Sequence, residues 1–262
     1  MSKQRVNLVS GLKIEDAARG SRGLYTVAEV ARYARMSTPR LNYWLYGDRK
    51  HSALHPPTIL RTEGKWLTFL EFVEVLAVHT LRNQYRLSFQ RIRAAVNEAR
   101  DTYGIEYPFA NQDHKTYLIG NDFHIELNKG ASSLVGLTGR DKKQQSFRPC
   151  IEPFMKNLEF DNKKTAIAYI AYRYPIPNES AKESTIVASR PSAAIETTIN
   201  IRMDPRYCFG EPVVEGTGYT ADTLWRAALA EGSEARAAEF YEVTVNHVLA
   251  AFQYCTEIGM VA

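Results

Sequence analysis

The sequence predicts an α+β protein: an N-terminal winged helix-turn-helix, a small central antiparallel sheet and a C-terminal trihelical, helix-turn-helix-like domain. Three observations carry this. Apolar residues recur at helical spacing up to about residue 104, shift to short β-like runs from 106 to 174, and return to helical spacing after Thr220. A chain of 262 residues that is 45% apolar and 24% charged has enough material for two or three small cores. The expected division is an irregular arm (1–23), a winged-helix head (24–104), a β-rich segment (105–175), a linker (176–192) and an extended arm with a trihelical unit (193–262).

The arm contains Gly11, Gly20 and Gly23 and no helical period. From Tyr25 the pattern changes. Thr26 is placed to cap a short helix carrying Val27, Val30 and Ala31 inward, with Glu29 completing a capping box. Met36 and Ser37 turn the chain, Ser37 caps a second helix, and Pro39 sits in its first turn, where a missing N–H is tolerated. On this second helix Leu41, Trp44 and Leu45 share one stripe. Opposite it lie Arg40 and Tyr43, with Thr38 at the start and Asn42 on the flank. Arg reads guanine and Asn reads adenine through paired hydrogen bonds, and Thr or Tyr holds phosphate, so these four side chains suit a major groove.

Pro57–Arg61 and Trp66–Thr68 read as two strands around Thr62-Glu63-Gly64-Lys65, the wing of a winged helix. Arg61 and Lys65 would then lie along the phosphate backbone, where affinity is electrostatic and falls with salt; Arg49 and Lys50 add to that footprint. Charge is distributed accordingly. Through residue 105 there are 17 Lys/Arg against 9 Asp/Glu, and beyond it 16 against 20, so the basic end is where nucleic acid is expected. Thr68 then starts a long helix (Phe69, Phe72, Val73, Leu76, Thr80) and Ser88 another (Phe89, Ile92, Ala95, Val96, Ala99).

Residues 115–120, 122–128, 132–138, 151–160 and 165–174 read as strands of a small antiparallel sheet. Asp113, His114, Asp122 and His124 invite a metal reading. It is set aside because their spacing matches no metal motif and polar residues alternate on any solvated strand face, so no metal or cofactor is expected. Tyr169, Tyr172 and Tyr174 suit an effector pocket in the sheet, although strand aromatics usually pack. Pro175–Pro191 has linker composition. Hydrolase-elbow, P-loop, dinucleotide and deaminase motifs are absent from the sequence, which argues against an enzyme; an unfamiliar one would rest on Cys208 or the acidic residues. Three cysteines without a CxxC spacing fit a reducing cytoplasm. The N-terminal sequence has no apolar leader and no stretch is apolar enough to span a bilayer, so no membrane association is expected.

The most specific text lies near the C-terminus: Ile199-x-Ile201-x-x-Asp204-Pro205-x-x-Cys208-x-Gly210-x-Pro212-Val213-Val214-x-Gly216-Thr217-Gly218. Asp before Pro and the glycines make it a run of turns. Thr220, Ser233 and Thr244 then cap three short helices, Leu224, Ala227, Ala228 and Leu229 facing inward on the first, and Gly232 ends that helix. Over residues 199–256 this resembles the small C-terminal domain of unknown function found in VapB-like antitoxins, and the order of helix pair, wing and two longer helices in 24–104 resembles the MerR-type DNA-binding module. Much of the wider antitoxin family has Arg where this chain has Gly218. The resemblance implies the antitoxin of a type II toxin–antitoxin pair, with operator DNA and a cognate PIN-type ribonuclease as partners. The winged helix would repress the operon, and Arg202 and Arg206 would face the nuclease carboxylates. A homodimer is expected, but MerR proteins pair through a long coiled coil whose heptads this chain lacks, so its interface would lie elsewhere. The alternative is a MerR-like regulator that binds a small effector in the central sheet.

Overall fold

A computed structural model describes residues 23–47, 57–59, 65–113, 115–119, 122–126, 134–136, 147–149, 152–176 and 198–260. The chain is a mixed α/β protein that divides into two compact units: residues 1–169 with 204–210, and residues 170–203 with 211–262. The arm 1–22, most of the wing (60–64), Arg49, Lys50, His114 and most of the linker composition (177–191) lie outside the described residues.

In the first unit, α1 (Val27–Tyr33) opens with the expected capping box: the Thr26 side chain accepts the Glu29 N–H while Glu29 accepts the Thr26 N–H at 2.7 Å. A turn through Arg35, in the left-handed region at φ 52, leads to α2 (Thr38–Tyr46). Ser37 is its N-cap by backbone geometry but makes no side-chain cap hydrogen bond, contrary to expectation. The third helix, α3 (Phe69–Asn83), is buried over most of its circumference rather than along one stripe, Glu71 and Glu74 included. Glu71 closes a second capping box with Thr68, and Glu74 Oε1 accepts the Phe109 N–H at 2.8 Å. Each buried carboxylate therefore satisfies a backbone donor that burial would otherwise leave unpaired. Helix α4 (Phe89–Tyr103) starts at a Ser88 cap and ends on Gly104 in the left-handed conformation.

The wing expectation fares differently. Among the described residues neither flank forms a strand: Leu67 makes an antiparallel bridge with Tyr25, and the Thr58 and Ile59 N–H groups donate to the Trp44 carbonyl. Leu67 and Ile59 are core side chains, so burial holds both flanks against the helices.

Strands β1 (Lys115–Ile119), β2 (Asp122–Glu126), β3 (Leu134–Gly136) and β4 (Phe147–Pro149) form an antiparallel sheet in the order β3-β2-β1-β4, with Tyr117 opposite His124 across β1 and β2. The expected strand 151–160 is in fact a helical turn, α5 (Glu152–Met155), followed by β5 (Leu158–Phe160). Strand β6 (Ala166–Pro175) pairs with β5 and runs from the first unit into the second.

In the second unit β7 (Thr198–Met203) pairs with β8 (Pro212–Val214). Three helices follow: α6 (Ala221–Glu231), α7 (Glu234–Phe240) and α8 (Val245–Glu257). Each begins at the threonine or serine the sequence marks, with Thr220, Ser233 and Thr244 accepting from the residue three further on, and Gly232 ends α6 in the left-handed region. Their contact surface is made of Ala227, Ala228, Ala237, Ala238 and Val248, small side chains that let the helix axes come close. Leu229, expected inward, is 39% exposed, and Trp225 is buried instead. Among the described residues no helix is long and apolar enough to cross a membrane.

Candidate functional site

Helix α2 is the element whose exposed chemistry stands out. Its inner stripe is as expected: Leu41, Trp44 and Leu45 are buried. The Trp44 and Tyr43 rings both pack on Phe89 at the start of α4, with centroids 5.5 and 5.7 Å away, and the Arg93 guanidinium covers the same ring at 5.1 Å. Arg93 is itself buried and donates through Nε to Thr58 Oγ1 at 3.1 Å. These aromatic and cation–π contacts fix the roll of α2.

Of the four side chains proposed for the groove, Arg40 and Asn42 are exposed, whereas Thr38 and Tyr43 are half-buried at the margins. The Arg40 guanidinium lies 5.3 Å from the Trp44 ring centre, an arrangement that restricts the side chain while leaving its fork open. Burial, with Arg40 nearby, holds the His79 imidazole below its ordinary range, so the charge on this side belongs to the arginine. Pro39 and Tyr46 complete the outer face; Tyr46, three residues beyond Tyr43, was the position that helical spacing could have marked and did not. Arg32 and Arg35 are also exposed, on α1 and in the following turn. Lys65 is exposed, and Arg61 lies outside the described residues.

The residues expected to meet a nuclease fall in different units. Arg202 is half-buried on β7 in the second unit, while Arg206 belongs to the first. The Arg206 guanidinium grips its own chain, donating from Nε to Asp204 Oδ1 at 2.9 Å and from a terminal nitrogen to Oδ2 at 2.7 Å. That pairing raises its already high pKa further, and Asp204, 3% exposed, also accepts the Arg206 N–H at 3.0 Å. The loop's other end is fixed where the Tyr25 hydroxyl donates to the Gly210 carbonyl at 2.9 Å. Between these anchors Tyr207 and Phe209 are 61% and 80% exposed, with Cys208 and Phe209 in the left-handed region at φ 44 and 54. Sequence reasoning passed over this aromatic pair because neither residue belongs to a periodic pattern.

A cleft of about 480 Å³ lies between Leu70, the 103–107 stretch, Ala110, Asn111 and Thr165. Tyr169, Tyr172 and Tyr174 do not line it: Tyr169 packs on Phe72 and Phe154, and Tyr172 on Tyr254.

Residues 201–255 match a family described as "Protein of unknown function (DUF433)". The uncharacterized protein Rv2308 of Mycobacterium tuberculosis is 30% identical over 92 residues, which are 34% of this chain and 39% of that relative's length. The X-ray crystal structure of Rv2018 from Mycobacterium tuberculosis aligns with 88% of this chain and 97% of that chain at a TM-score of 0.55 and 20% identity, a likeness of fold alone.

Proposed function

We propose that the chain is the antitoxin of a type II toxin–antitoxin pair: a winged helix-turn-helix of the MerR kind binds operator DNA and represses the operon, and the rest of the chain inhibits a cognate PIN-type ribonuclease. The observation that carries this reading is the outer face of α2. It offers Arg40, Asn42 and Tyr46 to solvent from a helix whose opposite face is locked by Leu41, Trp44 and Leu45. Such a helix can enter a major groove without reorganising. Arg40 is placed to read guanine and Asn42 adenine, while Thr38, Tyr43, Arg61 and Lys65 supply phosphate contacts. Two copies binding as a dimer would place two such helices on successive half-sites. The antitoxin half rests on the sequence resemblance over residues 199–256, the stretch that also matches the family of unknown function.

Arg206 already gives two of its N–H groups to Asp204, so in this reading it meets nuclease carboxylates with its remaining donors or by exchanging Asp204 for them, and Arg202 acts beside it. The test is fluorescence anisotropy of the full chain on a duplex from its own promoter, over a salt series, alongside purification from the native host to ask whether a small nuclease comes along in equal amount. Tight, salt-sensitive binding with a stoichiometric nuclease is expected. A chain that binds the promoter with no nuclease partner would instead favour a regulator with a small-molecule effector, for which the 480 Å³ cleft is the candidate pocket.

A further inference from the structure

The trihelical unit carries an acidic surface with an exposed aromatic side chain. Residues 211–260 contain eight Asp/Glu against two Arg, and one of those, Arg226, is already held by Asp222 at 2.8 Å. A unit so acidic repels nucleic-acid phosphate. Within it, Phe240 at the end of α7 is 71% exposed. It leans edge-on against Tyr241 with ring centres 5.2 Å apart, and Tyr241 meets Tyr219 the same way at 5.0 Å. Exposed Glu239 and Glu242 flank this row and are joined through the backbone, the Glu242 N–H donating to the Glu239 carbonyl at 3.2 Å. The carbonyl end of α7 adds partial negative charge at the same place. An exposed phenylalanine, backed by Tyr241 and next to two exposed glutamates in the chain, therefore stands on the outside of the unit.

We infer that this patch, centred on Phe240 with Glu239 and Glu242, docks into the cationic RNA-binding cleft of the partner ribonuclease and excludes RNA by imitating it. The inference rests on the antitoxin reading. A ribonuclease binds RNA with Lys and Arg along the backbone and with surfaces that accept flat rings. The patch offers both features, negative charge from Glu239 and Glu242 and an exposed ring from Phe240. A single aromatic anchor surrounded by complementary charge is also the usual composition of an affinity-determining contact. Arg206 is already paired with Asp204, whereas Phe240, Glu239 and Glu242 are exposed.

The test uses the full-length chain, the small nuclease that copurifies with it from the native host, and a fluorescent single-stranded RNA substrate. The wild-type chain is expected to raise the KM of the nuclease for RNA without changing kcat, and to weaken markedly from about 50 to about 200 mM salt. Phe240→Ala, and separately Glu239→Lys with Glu242→Lys, should each weaken inhibition by about tenfold or more, with promoter DNA affinity unchanged. These side chains are exposed and lysine suits a helix C-terminus, so the variants should fold. Inhibition that lowers kcat with RNA still bound, or variants as potent as wild type, would overturn the inference. So would light scattering that shows Phe240→Ala dissociating a dimer while inhibition survives, since the patch would then be a self-interface. A wild-type chain that does not bind the nuclease at all overturns the antitoxin reading itself.

Discussion

Thr26 opens α1 and Thr244 opens α8 with the same reciprocal cap, closed by Glu29 in one case and His247 in the other. The helix pair that follows Thr26 nevertheless presents Arg32, Arg35 and Arg40 to solvent, and the helix trio that ends at Glu257 presents Glu231, Glu239 and Glu242. Capping and apolar periodicity determine that helices form and how they pack. They are silent about what the outer faces meet. The charge of the exposed side chains is set separately from packing, and there the two regions have opposite sign.

The most severe way to break the comparison is to ask whether the two regions are independent. Gly210 lies in the segment that matches the family of unknown function, yet it packs within the first unit, where a Cβ would collide with the Tyr25 hydroxyl and φ is +79°. Gly210→Ala should cost about 3 kcal/mol by urea denaturation through overpacking and backbone strain. Adding Tyr25→Phe should recover part of that loss; if the two effects simply add, the proposed collision is not the cause.

Next in size is Glu74. Burial pushes its carboxyl up to about 8 from an ordinary 4.5, against the lowering effect of the Phe109 N–H. The folded chain thus holds this proton more tightly than the unfolded one. The stabilisation is complete below pH 4.5 and is lost as pH rises through 8. Glu74→Gln keeps an acceptor for Phe109 and should flatten the fall in Tm between those limits. Glu74→Leu orphans the N–H and should cost about 2 kcal/mol at any pH. A Gln variant with the wild-type pH slope would place the titration elsewhere.

The comparison is sharpened on the DNA side by Arg40→Ala with Tyr43→Ala, expected to weaken promoter binding by about tenfold or more, with a shallower salt dependence. Unchanged affinity across the salt series would remove α2 from the groove. Point substitutions suit this better than deletion of residues 193–262, which would also remove the carbonyl that Tyr25 bonds. The smallest effects belong to the caps: Thr26→Ala and Thr220→Ala should each cost about 1 kcal/mol in thermal melts, wherever in the chain the cap sits.

The features legible in the sequence were those set within one turn or one hairpin. Thr26, Thr68, Ser88, Thr220, Ser233 and Thr244 act on residues three positions away, so their roles could be read directly. Four strands of the middle region were likewise visible as local runs. The burial of Glu71 and Glu74 was not, because their partners are backbone N–H groups and a carboxylate in a helical pattern reads as a solvent-facing residue. Residues 152–155 form a helical turn where a strand was expected, and β4 gave no signal, being three residues long. On the candidate DNA face Arg40 and Asn42 were legible from helical spacing, whereas Tyr43's packing on Phe89 depends on a helix 46 residues further along. The engagement of Arg206 by Asp204 is local, but it was read as a turn signal and not as a competitor for the guanidinium.

The bond from Tyr25 to Gly210 spans 185 positions, and it bears on how such chains can be recombined. A C-terminal module exchanged onto a different head would bring a loop shaped to a tyrosine that the new head need not possess. A head grafted onto a foreign tail would lose the acceptor its hydroxyl uses. Functional chimaeras are therefore expected only when residues 204–210 travel with the head, a seam that lies inside the family match and would be missed by anyone cutting at its first residue.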